Sequence, residues 1–136
     1  MKVQHIIDDL ESVFSKQPET KDYDVAFACY SEDGSGSIDF AYVEAFDWDE
    51  DEEFFLIPEN CAKYYQREAV KFKAAHFLEE IKKIQIENFS EFETHVREKT
   101  KIAKDGSVIS LNSPMWGTGV HDYEKFVYFY HGKERA

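Results

Sequence analysis

Between Asp47 and Glu53 the chain reads Asp-Trp-Asp-Glu-Asp-Glu-Glu, six carboxylates and one indole in seven residues. The chemistry open to such a run is electrostatic. Carboxylates packed this closely repel one another and weaken the compact state unless solvent or a cation offsets them, and facing a basic surface they steer and speed association. Trp48 inside the run is a residue type that often anchors interfaces. The run closes an acidic half: residues 1–60 hold 17 of the 28 Asp and Glu but 3 of the 16 Lys and Arg, within a net charge of −12.

Other constellations fall short of a site. Asp33-Gly34-Ser35-Gly36-Ser37-Ile38-Asp39-Phe40 resembles the middle of an EF-hand calcium loop. Counted from Ser31, however, the first ligand position is a serine and the twelfth is Tyr42, where the family supplies a bidentate Glu. The segment therefore reads as a hairpin turn, and no metal is assigned. His76 with Glu80, and Glu91 with His95, have the i, i+4 spacing that places two ligands on one helical face, a pattern too common to define a centre. Ser110, Ser113, His121 and Asp122 offer hydroxyl, imidazole and carboxylate on one stretch without a nucleophile motif. Nucleophilic catalysis needs those groups in a defined geometry, which spacing does not supply. No catalytic residue and no cofactor is assigned.

The elements expected to carry these residues follow from periodicity. Val3, Ile6, Ile7, Leu10, Val13 and Phe14 form one face of a helix over about residues 2–16, stopped at Gln17-Pro18. Tyr23–Tyr30 and Ser37–Asp47 read as a hairpin, and Phe54–Ile57 as a short buried strand. A long helix is expected from Pro58–Asn60 onward, with Val70, Ala74, Phe77, Leu78, Ile81 and Ile84 as its apolar stripe and Lys63, Arg67 and Lys71 on another face. Ser90 and Glu93 have capping-box spacing and predict a further helix carrying Phe92, Val96 and Ala103. Ser107–Leu111 and Lys125–His131 read as strands, joined by a long loop over residues 112–122 that contains Trp116-Gly117-Thr118-Gly119. The glycines are read as letting that loop turn around Trp116. No internal repeat is visible.

The expected fold is α+β: an antiparallel sheet of about five strands with three helices packed mainly on one face, in a single domain spanning residues 1–136. Two cysteines, Cys29 and Cys61, do not make a disulfide framework. The N-terminal residues lack a signal-peptide pattern and no long apolar stretch occurs, so a cytoplasmic location is expected, with no membrane contact. Acidity disfavours direct contact with nucleic acid. The expected function is that of an acidic binding protein that inhibits or masks a basic protein partner, in the manner of toxin-immunity proteins or nucleic-acid mimics. Its contact residues would be Asp47, Trp48, Asp49, Glu50, Asp51, Glu52 and Glu53, with Trp116 as a second contact. Two other readings stand beside it: a small enzyme or small-ligand binder using the 112–122 loop, and a subunit of a homodimer whose acidic half pairs with basic helices.

Overall fold

The apolar stripe Val3, Ile6, Leu10 and Phe14 winds into helix α1 (Val3–Lys16), which ends where Pro18 opens a 3-10 turn (Pro18–Asp22). Three strands follow: β1 (Asp24–Tyr30), β2 (Ile38–Trp48) and β3 (Glu53–Pro58). Helix α2 (Ala74–Lys82) buries Ala74, Phe77, Leu78 and Ile81, and a second 3-10 turn (Phe89–Glu91) leads into β4 (Glu93–Ile102), β5 (Val108–His121) and β6 (Phe126–His131). The computed structural model describes residues 1–30, 38–59 and 72–132. The glycine segment between β1 and β2, Cys61, and Lys63, Arg67, Val70 and Lys71 of the expected long helix lie outside the described residues. That helix does not start at Pro58, which closes β3; Lys73 is extended and α2 runs only over Ala74–Lys82, so Ile84 lies beyond it.

The six strands close into a barrel in sequence order. Neighbours are antiparallel except at two seams, where β3 runs parallel to β4 and β6 parallel to β1. Closure leaves no free sheet edge. The long strands β2 and β5 bend at irregularities between Val43 and Ala45 and between Met115 and Gly117, as bulged strands do. One strand face, carrying Val25, Phe27, Phe54, Leu56, Val127 and Phe129, joins the apolar stripes of both helices in one buried cluster. Among the described residues no helix is long and apolar enough to cross a membrane.

The order of elements repeats in space although the sequence shows no repeat. Each half is a helix, a 3-10 turn and three strands, and the two halves grip each other reciprocally. The Val3 N–H donates to the Phe92 carbonyl (3.0 Å) as the Ala74 N–H donates to that of Tyr23 (2.8 Å). Thr94 donates to Met1 (3.0 Å) as Val25 donates to Phe72 (3.2 Å). Single bridges pair Lys2 with Glu93 and Lys73 with Asp24. Each helix is thus anchored on the opening strand of the other half.

The expected sheet is corrected accordingly. The class remains α+β, but it is dominated by strands, six rather than about five, with two parallel seams and two α-helices among the described residues. The third helix is absent because residues 93–102 are strand β4. Tertiary partners claim the N–H groups there: Glu93 donates to Glu52 (3.2 Å) and Thr94 to Met1 (3.0 Å). The Phe92–Val96 spacing of four that suggested a helix is also a multiple of two, and Thr94 and Val96 are buried beside half-exposed His95 and Arg97. The 112–122 loop does not exist either, since all but its last residue belong to β5. Gly117 and Gly119 lie beneath tyrosine rings of β6: a Cβ on Gly119 would meet Tyr128 Cζ at 2.6 Å. Glycine in a strand commonly marks such a close approach.

Candidate acidic interface

Parallel pairing at both seams brings the starts of β1, β3, β4 and β6 to one end of the barrel, and with them the β2–β3 and β5–β6 turns. The β2–β3 turn is residues 49–52. Asp49 builds it: its Oδ1 accepts the N–H groups of Asp51 (3.0 Å) and Glu53 (3.1 Å), while its own N–H donates to the Glu53 carbonyl (3.1 Å). Asp side chains hold turns in this way. Glu52 takes a left-handed conformation (φ 60°). Glu50, Asp51 and Glu52 are exposed, and Glu53, half-buried at the start of β3, lies in register beside exposed Glu93.

Among the described residues no ion pair engages Asp49, Glu50, Asp51, Glu52 or Glu53. Neighbouring acids are treated differently. Glu91 accepts from Lys2 Nζ (2.6 Å), which holds its carboxyl below the usual range and raises Lys2 in return. The N-terminal ammonium lies 3.7 Å from Glu93. Glu11 pairs with Lys82, and Asp24 with Lys73 (3.0 Å). The α2 lysines therefore neutralise part of the acidic half from within the same chain, and the turn is spared.

The predicted contact residues do not form one surface. Asp47 is half-buried, shares a strand face with Phe55 and accepts the N–H of Trp48 (2.9 Å). Trp48 points to the opposite face, against Phe46 (6.5 Å between centroids) and Phe89 (5.9 Å), packed on the core cluster. It supports the turn from beneath rather than projecting from it. Trp116 is remote from it in the fold, stacked on Tyr130 (4.9 Å, 18°), with its indole N–H buried and unpaired. Tyr130 alternates along β6 with Phe129 of the helix-facing cluster, so the two tryptophans lie on opposite sides of the barrel wall.

The catalytic candidates are likewise dispersed. Ser113 Oγ bonds His131 Nδ1 (3.0 Å), His121 Nδ1 accepts the Glu124 N–H (3.1 Å), and Asp122 accepts from Tyr23 (3.1 Å) and Gln17 (3.0 Å). His76 pairs with Glu80 (3.3 Å), whereas Glu91 and His95 sit on a turn and a strand rather than a helix. Among the described residues no group of acids, histidines and cysteines is placed to hold a metal.

The second turn at this end provides an internal comparison. The Asp24 N–H donates to Lys125 (3.1 Å) as the Glu93 N–H donates to Glu52 (3.2 Å), and Lys125 has φ 58° against 60° for Glu52. This turn is built with Asp122, Tyr123, Glu124 and Lys125. No protein-family model, curated protein or solved structure matches this chain. The comparison of its own two halves takes their place: equivalent backbone positions carry a mixed sequence in one turn and unbroken carboxylates in the other.

Sequence reasoning passed over one feature beside the turn. Ile84 and Ile86, after the end of α2, border an open groove with Ile7 of α1. Ile84 reads in the sequence as part of the helix stripe, and the end of α2 at Lys82 is what turns it and Ile86 toward the groove, where Ile86 remains 37% exposed.

Proposed function

We propose that this protein is a binding protein whose exposed β2–β3 turn docks on a basic protein partner and masks it. The observation that carries this reading is the contrast between the two equivalent turns. The backbone there tolerates Lys125 and Tyr123, so the four consecutive carboxylates at residues 50–53, unlike that of Asp49, which holds the turn, answer no folding requirement. Carboxylates kept out of the ion-pair network retain their charge for an external cation, and their field raises association rates at low salt. The 112–122 stretch from which the enzyme reading started is strand β5 up to His121 rather than a loop.

The test separates location from net charge. One variant neutralises the turn (Glu50→Gln, Asp51→Asn, Glu52→Gln, Glu53→Gln). A control neutralises four scattered exposed carboxylates (Glu19→Gln, Asp22→Asn, Glu79→Gln, Glu124→Gln), so that both lose the same charge. Association of a labelled deca-arginine peptide is followed by stopped flow across a salt series. The turn variant should slow association about tenfold more than the control at low salt, and the gap should close at high salt. Equal slowing in both variants would make the charge merely global and refute the assignment.

A further inference from the structure

A partner held by charge alone would gain speed and little residence time, since rim charges act mainly on association. The groove next to the turn supplies what is missing. It has a volume of about 310 Å³ and is lined by Val3 and Ile7 of α1, Ile81 at the end of α2, and Ile84, Ile86 and Phe89 beyond it, with Lys82, Asn88 and Ser90 as its polar members. Five of the nine are aliphatic. Ile86 is exposed and Ile7 and Ile84 are half-buried, an arrangement that leaves apolar surface facing water.

The groove and the acidic turn belong to one continuous surface. Phe89, on the groove floor, packs edge-on against Trp48 at the foot of the turn (5.9 Å). Four residues later, Glu93 donates its N–H to Glu52 within the turn (3.2 Å). The short segment from Asn88 to Glu93 thus borders the groove at one end and hydrogen-bonds the turn at the other. Asp8 beside Ile7, Glu87 beside Ile86, then Glu91 and Glu93 are exposed around it. The nearby lysines are engaged by carboxylates: Lys82, in the groove lining, by Glu11, Lys83 by Glu80 and Lys2 by Glu91.

We infer that this groove receives an apolar side chain from the basic partner, carried on a segment whose flanking arginines or lysines meet the carboxylates of residues 50–53 and 87. The inference rests on the proposed function and adds the anchor. The apolar contact is made by Ile7, Ile84 and Ile86 rather than by Trp48, which is packed underneath. A second copy of this chain is a poor occupant, because it brings a net charge of −12 to a carboxylate rim.

Two labelled hexapeptides of equal charge test this, Arg-Arg-Leu-Leu-Arg-Arg and Arg-Arg-Ser-Ser-Arg-Arg, titrated by fluorescence anisotropy. The leucine peptide should bind at least tenfold tighter, about 1.4 kcal/mol. Ile86→Asn, at an exposed position that is safe for folding, should erase that ratio. Neutralising the turn should weaken both peptides together and leave the ratio intact. In the unmodified protein the leucine peptide should shift the amide resonances of Ile7, Ile84 and Ile86, which keeps the test independent of any variant. A ratio near one with turn dependence intact overturns the groove alone. A ratio that survives Ile86→Asn, without shifts at those isoleucines, also overturns it. A tenfold ratio without turn dependence supports the groove and refutes the acidic-turn reading.

Discussion

Replacing Gly119 with alanine tests whether β5 is the strand described here or the flexible loop that its glycines suggest. An added Cβ would lie 2.6 Å from Cζ of Tyr128, 2.7 Å from its oxygen and 3.0 Å from Cε2. Carbon atoms in contact settle at about 3.5–4.0 Å, so the ring must retreat by about 1 Å. Its neighbours resist: Phe40 and Tyr130 stand 5.1 Å and 5.0 Å away between ring centroids, and the two phenol oxygens share a hydrogen bond of 2.7 Å. Overpacking of this kind costs about 1–3 kcal/mol, and a strained or lost hydrogen bond adds about 1 kcal/mol. Restricting the unfolded chain returns about 0.4–1 kcal/mol. The net expectation is a destabilisation of about 1–3 kcal/mol, read by urea denaturation with circular dichroism. Gly117→Ala is the control: its nearest contact would be 3.4 Å from Tyr130 Cδ2, so stability should stay within about 0.5 kcal/mol of the parent. In a Tyr128→Leu background the penalty at Gly119 should largely vanish. Equal and small effects at both glycines would refute the close approach and the strand register that creates it.

Phe89→Ala removes the ring beneath Trp48, Phe54 and Phe92 and should cost about 3–5 kcal/mol, with Trp48 emission shifting red in a Trp116→Phe background. Neutralising residues 50–53 should stabilise the fold while weakening binding, because like charges including the Glu53–Glu93 neighbours no longer repel. The gain is about 0.5–1 kcal/mol at low salt and should disappear near molar salt in parallel denaturation curves. Lys2 holds the Glu91 carboxyl below its ordinary value, chiefly by a hydrogen bond, and Lys83 does the same for Glu80. A depressed folded value means that this stabilisation is full above the unfolded value of 4.5 and is lost as pH falls through the folded one. The melting-temperature gap between the parent and a Lys2→Met, Lys83→Met variant should therefore close between about pH 5 and pH 3. A gap that persists at pH 3 would mean that the lysines act by packing.

What could be read from the sequence was what local pattern governs. α1 falls where its stripe places it, and β1, β2, β3 and β6 where runs of aromatic and β-branched residues do, β1 and β3 being buried on both faces. The failures share a cause in contacts from far along the chain. Ser90 and Glu93 spell a capping box, yet the N–H groups that a helix would use belong to Met1 and Glu52. Gly117 and Gly119 spell a loop, yet they make room for tyrosines about ten residues later. Barrel closure depends on two parallel seams between halves that share no visible sequence pattern. For the site, the charge was evident and the geometry was not. Alternation puts Asp47 and Trp48 on opposite faces, so a run of seven residues becomes a turn of exposed acids over a half-buried indole packed on the core.

Doubling of a helix-and-three-strand unit also explains how acidity could gather without dismantling the fold. The cluster that stabilises the barrel lies on the strand face turned toward the helices, and both halves contribute equivalent positions to it: Phe54 and Leu56 from one, Val127 and Phe129 from the other. The turns lie beyond that cluster, tied by main-chain bonds whose partners do not depend on side-chain identity. Asp49 is the exception, since its carboxylate is used by the Asp51 and Glu53 N–H groups, and His121 does similar work for Glu124 in the other turn. Asp49 in one turn, and His121 and Asp122 at the other, therefore serve structure, and the remaining turn positions are released from it. Repulsion among Glu50, Asp51, Glu52 and Glu53 is a local, solvent-screened cost of a few tenths of a kcal/mol per pair. A buried cluster drawn from both halves absorbs such a cost readily. A scaffold with two interchangeable ends could specialise one of them for an external cation while the other continued to hold the barrel closed.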